Sequence, residues 1–240
     1  MSNWLPGFVL VVGAYSLLKR PAARIDGFSS EPVSSQEVFA RQCKIANKGD
    51  CLNKTGELFV ADYPDQRKAL ALLQRMQGIQ KVLVQHFQMI ADNIDKQEPR
   101  YRMQWALQHG MKVKDEKDLT WQITRIRVFL NKVKHITIGE VIRQSHTDFT
   151  SYTLDKKDMS MCLRDRQNDQ LYDDNLITYV FLHELAHIMS PTYGHDDVFV
   201  RCFQVMLAAA VALHLYIQVD YSKQPVNYCG GVYLNTTVWA

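Results

Sequence analysis

The residues with the clearest chemistry lie in one stretch, Val180-Phe181-Leu182-His183-Glu184-Leu185-Ala186-His187, followed within a few residues by Gly194-His195-Asp196-Asp197. Side chains four apart on a helix share a face, so His183 and His187 can offer two imidazole nitrogens to one divalent ion at about 2 Å each. Glu184 is badly placed to chelate beside both of them, but it can reach a water at the ion and act as its general base. This His-Glu-x-x-His spacing makes Zn2+ the expected cofactor. A catalytic zinc needs a third protein ligand and one open position. Pro191 stops the helix and Gly194 permits a sharp reversal, which makes His195 the natural third ligand. Asp196 or Asp197 could ligate instead, or could hold a ligand histidine through its second nitrogen. His86, His109, His135, His146 and His214 each stand alone and read as packing or solvated residues.

The expected reaction is hydrolysis of a protein or peptide substrate, with the metal polarising the scissile carbonyl and Glu184 moving the proton to the leaving amine. Tyr193 is a candidate for stabilising the oxyanion. A substrate backbone could pair with an edge strand beside the helix, and Met159, Ser160, Met161, Cys162 and Leu163 read as that strand. The alternative, two surface histidines with an unrelated glutamate, is disfavoured by the apolar residues on both sides of the motif.

Several elements must position this stretch. Pro64 opens a long amphipathic helix with Leu72, Leu73, Met76, Ile79, Leu83, Phe87 and Ile90 on one face and a costly Gly78 within it. A second helix runs from Pro99 to His109 and stops at Gly110, and a third covers Leu119 to Val133. From His135 the period shortens. Ile136, Ile138, Val141 and Ile142 alternate with polar residues, and Ser151 to Leu154 and Met159 to Leu163 flank the turn at 155–158, which reads as a hairpin. Asp173 or Asp174 suits the N-cap of the helix carrying the motif. Another helix, with the apolar run Val205 to Leu213, spans Asp196 to Gln218, and the tail beyond Val219 is expected to be irregular or extended.

The 240 residues, 47% of them hydrophobic and 22% charged, suit one folded domain. A net charge of +3, spread without blocks of like sign, gives no support for nucleic-acid binding. Five cysteines in no metal-binding spacing leave two readings open: a small loop closed by Cys43 and Cys51, or five free thiols in a reducing compartment. From Met1 to Leu18 no side chain is charged, and the apolar residues between Trp4 and Leu18 run into Lys19-Arg20. Positive charge after the run rather than before it fits an uncleaved membrane anchor better than a signal peptide, and it places the metal-binding domain on the cytoplasmic side. A buried or interfacial helix is the alternative. The expected organisation is an anchor over 1–20, a linker with short ordered pieces over 21–62, and the metal-binding domain over 63–240.

From Thr150 to Gly230 the sequence resembles the WLM and SprT-like branch of zinc metallopeptidases, the zincins, and within it the WLM-type proteins of large DNA viruses. The matching pieces are Ser151-Tyr152-Thr153, Met161-Cys162-Leu163-Arg164, His183-Glu184-Leu185-Ala186-His187, Gly194-His195 and Tyr228-Cys229-Gly230. The resemblance implies an α+β zincin-like fold, zinc on His183, His187 and His195, and Glu184 as the catalytic residue. One departure stands out: cellular members place five residues between the second and third histidines, and this chain has seven. The viral resemblance implies a virion protein seated by residues 4–18 in the internal membrane beneath the capsid, with capsid proteins as partners. It also opens an alternative, a structural minor capsid protein that keeps the zinc site as scaffold.

Overall fold

The computed structural model describes residues 52–55, 58–141, 151–154 and 156–240. The apolar segment 4–18, the Cys43 and Cys51 pair, Ile142 and His146 lie outside the described residues. Among those described, no helix is long and apolar enough to cross a membrane.

The fold is α+β. One five-stranded sheet has the order β1-β2-β3-β5-β4 (β1 Leu52–Thr55, β2 Leu58–Ala61, β3 Thr137–Glu140, β4 Tyr152–Leu154, β5 Asp158–Met161). β1 and β2 form an antiparallel pair, β2-β3 and β3-β5 are parallel, and β4 returns antiparallel on β5 with Thr153 opposite Met159. The hairpin expected around residues 155–158 is therefore present. β1 and β2 lie in the segment read as linker, and β2 is buried throughout, so the boundary at 62–63 cuts through a single sheet-and-helix unit. The local sequence hides this because a four-residue strand paired with a partner some 80 positions away has too few residues to show its period.

Among the described residues there are five α-helices, of which α1 and α4 pack on the sheet: α1 Gln66–Asn93, α2 Arg102–Gln108, α3 Glu116–Lys132, α4 Asp174–Met189 and α5 Asp197–Ala212. α1 buries Ala69, Leu72, Leu73, Met76, Ile79, Leu83, Phe87 and Ile90, the stripe expected of a helix with one face on the core. Gly78 lies on its exposed face, where an added Cβ would meet nothing within 4 Å, so packing does not account for it. At Gly110 the reverse holds. Its φ is +79°, and a Cβ there would come within 2.8 Å of the Ala212 side chain, which ties the end of α2 to the end of α5.

α4 is buried on nearly every side, the signature of a central helix rather than a surface one. Its start is capped by Asp173, whose carboxylate accepts from the backbone N–H groups of Asn175 and Leu176 at 3.0 Å each. At the other end of β5 a buried ion pair closes the sheet. Arg164 Nε donates to Glu140 at 2.7 Å, the second Glu140 oxygen accepts from the Ala61 N–H, and the Tyr63 ring lies 4.2 Å from the guanidinium.

The tail is more ordered than expected: β6 (Val226–Tyr228) and β7 (Val232–Leu234) form a second, two-stranded sheet. Its turn holds Cys229 and Gly230 at φ +54° and +70°. Cys229 is joined to Cys162 at the end of β5 by a disulfide across 67 residues, so the reading of five free thiols is corrected. Spacing could not reveal this pair, because the two cysteines meet only once the sheet and tail are folded. Cys202 is buried and free.

Candidate metal centre

His183 and His187 leave α4 one turn apart, and the seven residues after His187 bring His195 back against both. His195 Nε2 lies 3.0 Å from His183 Nε2 and 3.2 Å from His187 Nε2. Among the described residues these three form a group able to hold a metal ion, one ligand atom from each, all within 4.8 Å of one another. Asp196 and Asp197 do not join it. Both are exposed, and Asp196 caps α5, accepting from Phe199 N–H at 2.9 Å and from the Thr192 hydroxyl at 3.1 Å.

The chemistry of the donors suits a cation. Burial holds His183 well below its ordinary pKa, takes His187 down to about 3 and lowers His195, and in the first two the neighbouring histidines add to the effect. Neutral imidazoles are the form that ligates metal. His195 Nε2 at 3.0 and 3.2 Å from the other two Nε2 atoms, with protons disfavoured, brings lone pairs together, and a cation relieves that crowding. His183 Nδ1, buried with no hydrogen-bond partner, is left as the N–H position when Nε2 faces the other rings. Phe199 packs against all three, stacked at 4.2 Å on His187 and 4.8 Å from the other two rings, and Phe203 backs His183 at 5.2 Å. The sequence alone did not single out these two rings, although Phe199 and Phe203 come after His195 at successive helical turns.

Glu184 is 1% exposed. Its Oε2 accepts from the Thr153 hydroxyl at 2.7 Å, while Oε1 is buried with no partner. Burial pushes the carboxyl up to about 7, against a smaller lowering by Thr153, so it is poised to gain or lose a proton near neutrality. Thr153 gives no signal of this role in the sequence, since its partner is 31 residues away. Behind this pair Tyr228 donates to the Cys162 carbonyl at 2.7 Å and shares a 2.7 Å hydrogen bond with Ser151, whose hydroxyl oxygen also accepts from Cys162 N–H. Burial, with the Glu184 charge adding to it, holds the Tyr228 hydroxyl far above its ordinary range.

One expected feature sits elsewhere than foreseen. Met159, Ser160, Met161, Cys162 and Leu163 are all buried, and β5 pairs with β3 on one side and β4 on the other, so it is an interior strand with no free edge to offer. The outermost strand on the α4 side, among the described residues, is β4. The error has a simple cause: a hairpin read from sequence does not say which of its arms joins the larger sheet. Tyr193 is 81% exposed, with Lys156 Nζ 4.8 Å from its ring centre, in the loop between His187 and His195. Away from the histidines, a cavity of about 220 Å³ between α1, α3 and α5 is walled by Trp121 and Arg201, and Arg201 is already paired with Asp118.

The chain is similar to proteins of large DNA viruses. It is 38% identical over 106 residues to an uncharacterized protein of Acanthamoeba polyphaga mimivirus, covering 44% of this chain and 53% of the relative. It is 42% identical over 83 residues to one of Invertebrate iridescent virus 3, covering 34% and 50%, and 37% identical over 82 residues to one of Invertebrate iridescent virus 6, covering 33% and 44%. The chain thus spans about half the length of the curated relatives it matches. No protein-family model and no solved structure matches it.

Proposed function

We propose that this chain is a zinc-dependent peptide hydrolase of the zincin type, with His183, His187 and His195 holding the metal and Glu184 as general base. The observation that carries the reading is the Glu184 carboxylate, buried on the helix that presents His183 and His187, with one oxygen held by Thr153 and the other unpartnered. A purely structural centre has no need of such a group, and three protein ligands, the number found among the described residues, are the number used by catalytic zinc. Bound zinc supplies a Lewis acid that polarises a peptide carbonyl and acidifies water. Glu184 Oε1 takes the proton from the attacking water and returns it to the leaving nitrogen, while Thr153 keeps Oε2 occupied and the carboxylate aimed. The phenylalanines around the histidines exclude bulk water and strengthen these interactions.

The setting belongs to the same proposal. The viral relatives support a viral setting; within it we place the chain in the virion, tethered by residues 4–18 and facing capsid proteins. The Cys162–Cys229 disulfide supports residence in a particle over lasting exposure to a reducing cytoplasm. The same observations support the alternative of a structural capsid- or membrane-associated protein that keeps the metal as scaffold.

One experiment separates the two. Metal content and peptidase activity on candidate virion proteins are measured for the wild type, Glu184→Gln and His183→Ala. The enzyme reading expects stoichiometric zinc in the wild type and in Glu184→Gln, with turnover at least about 100-fold lower in the latter, and no zinc in His183→Ala. Zinc without turnover in either of the first two favours the scaffold, and a wild type without metal ends both readings.

A further inference from the structure

The third histidine is the ligand whose position is hardest to account for. His183 and His187 are fixed by a buried helix, whereas His195 sits in the loop between α4 and α5, only half-buried. Metal-binding histidines are ordinarily oriented by a carboxylate or carbonyl on the second ring nitrogen, yet among the described residues His195 makes no hydrogen bond through Nδ1. Its place must come from the loop, and the loop is pinned from the sheet side by Lys156. This residue lies in the β4–β5 turn at φ +58°, a backbone conformation seldom adopted by lysine. Its Nζ donates to the Ser190 carbonyl at 2.5 Å and to the Thr192 carbonyl at 3.4 Å. Ser190 is the fully buried C-cap of α4, where a cation also complements the helix dipole. From there a relay runs to the ligand. The hydroxyls of Ser190 and Thr192 are 2.9 Å apart, Thr192 donates to Asp196, and Asp196 caps α5 directly after His195.

We propose that Lys156 is a positioning residue for the third ligand: by holding the carbonyls of Ser190 and Thr192 it sets where His195 stands relative to His183 and His187. This rests on reading the three histidines as a metal centre. It explains how a seven-residue spacing still closes the site, because the extra length is taken up by a loop stapled to the hairpin. It also makes one hairpin responsible for two parts of the site, Thr153 aiming Glu184 and Lys156 placing His195.

The test uses the full chain with Zn2+ and Co2+ as probes. Zinc affinity is measured by competition with a chromophoric chelator for the wild type, Lys156→Met and Lys156→Arg, and the visible spectrum of the cobalt-loaded forms reports ligand geometry. Urea unfolding of the metal-free forms confirms that each folds. The expected result is affinity lowered about 10- to 100-fold in Lys156→Met, an altered cobalt spectrum, and near wild-type values for both in Lys156→Arg, which keeps donors within reach of the carbonyls. The sign is diagnostic. Lys156 places positive charge near His187, so if it acted only through that charge, its removal would tighten zinc binding. Unchanged or tighter binding in Lys156→Met, beside a wild type that binds zinc, overturns this inference and leaves the metal centre standing. A wild type that binds no zinc overturns both.

Discussion

The two sides of the metal centre are built by different physics. On one side α4 carries His183, Glu184 and His187, and apolar packing around nearly the whole helix holds all three. On the other a polar frame does the work: the β4–β5 hairpin with Thr153 and Lys156, the loop from Ser190 to Asp196, and the tail hairpin joined to β5 by the disulfide and the Tyr228 hydroxyl. Burial fixes the ligands that share a helix because a close-packed interior allows few alternatives. The ligand from a loop has Phe199 against its ring but no surrounding helix packing, and it depends on individual hydrogen bonds, so small changes there should loosen the site without unfolding the protein.

The largest expected effect breaks the polar frame. Cys162→Ser opens a link across 67 residues, and loss of that constraint on the unfolded chain costs about 4 kcal/mol. Urea denaturation of the variant beside the oxidised and the reduced wild type checks it. The reduced wild type should match the variant, and a cost near zero would mean that the tail is held by Tyr228 and its neighbours alone.

Next comes the helical side. Burial raises the Glu184 carboxyl from its ordinary 4.5 to about 7, so the folded chain favours the protonated form. The stability this group contributes is therefore complete below pH 4.5 and is lost as pH rises toward 7, about 3 kcal/mol in all. The histidines run the other way: their folded pKa values are depressed, so their contribution is present above pH 6.5 and lost as pH falls below it. In chelator, the stability of wild type minus that of Glu184→Gln isolates the carboxyl and should fall between pH 4.5 and 7. A flat difference would mean that Glu184 is not held in a desolvated site.

A smaller effect sharpens the contrast through two similar caps. Asp173→Ala and Asp196→Ala each remove an N-cap and should each cost about 1 kcal/mol in urea unfolding. Only Asp196→Ala also cuts the relay beside His195, so only it should weaken zinc binding, several-fold in chelator competition. The smallest change touches neither side. Gly78→Ala, on the open face of α1, should stabilise the protein by about 0.5–1 kcal/mol and leave zinc affinity unchanged.

Much of the helical side was legible in advance. The stripe of α1, the Gly110 stop, the Asp173 cap and the placement of His183 and His187 on one helix all depend on residues within a turn or two of each other, where periodicity speaks clearly. His195 was readable from Pro191 and Gly194, which end one helix and turn the chain toward the next. The polar frame was not. Thr153 meets Glu184 across 31 residues, Lys156 meets Ser190 across 34, and Cys162 meets Cys229 across 67. Thr153, Cys162 and Cys229 fall in pieces that carry the resemblance, but no local pattern tells what each of them meets, and the interior position of β5 depends on β3 pairing with it from further back in the chain.

By itself the sequence determined which residues could bind a metal, the helix that presents two of them, and an α+β class, because hydrophobic period, caps and ligand spacing are local properties. The tertiary structure alone decided which strand lies beside Glu184, which cysteines pair, and what holds His195 in place. Those contacts form only when segments distant in sequence are packed together, and no short-range pattern encodes them.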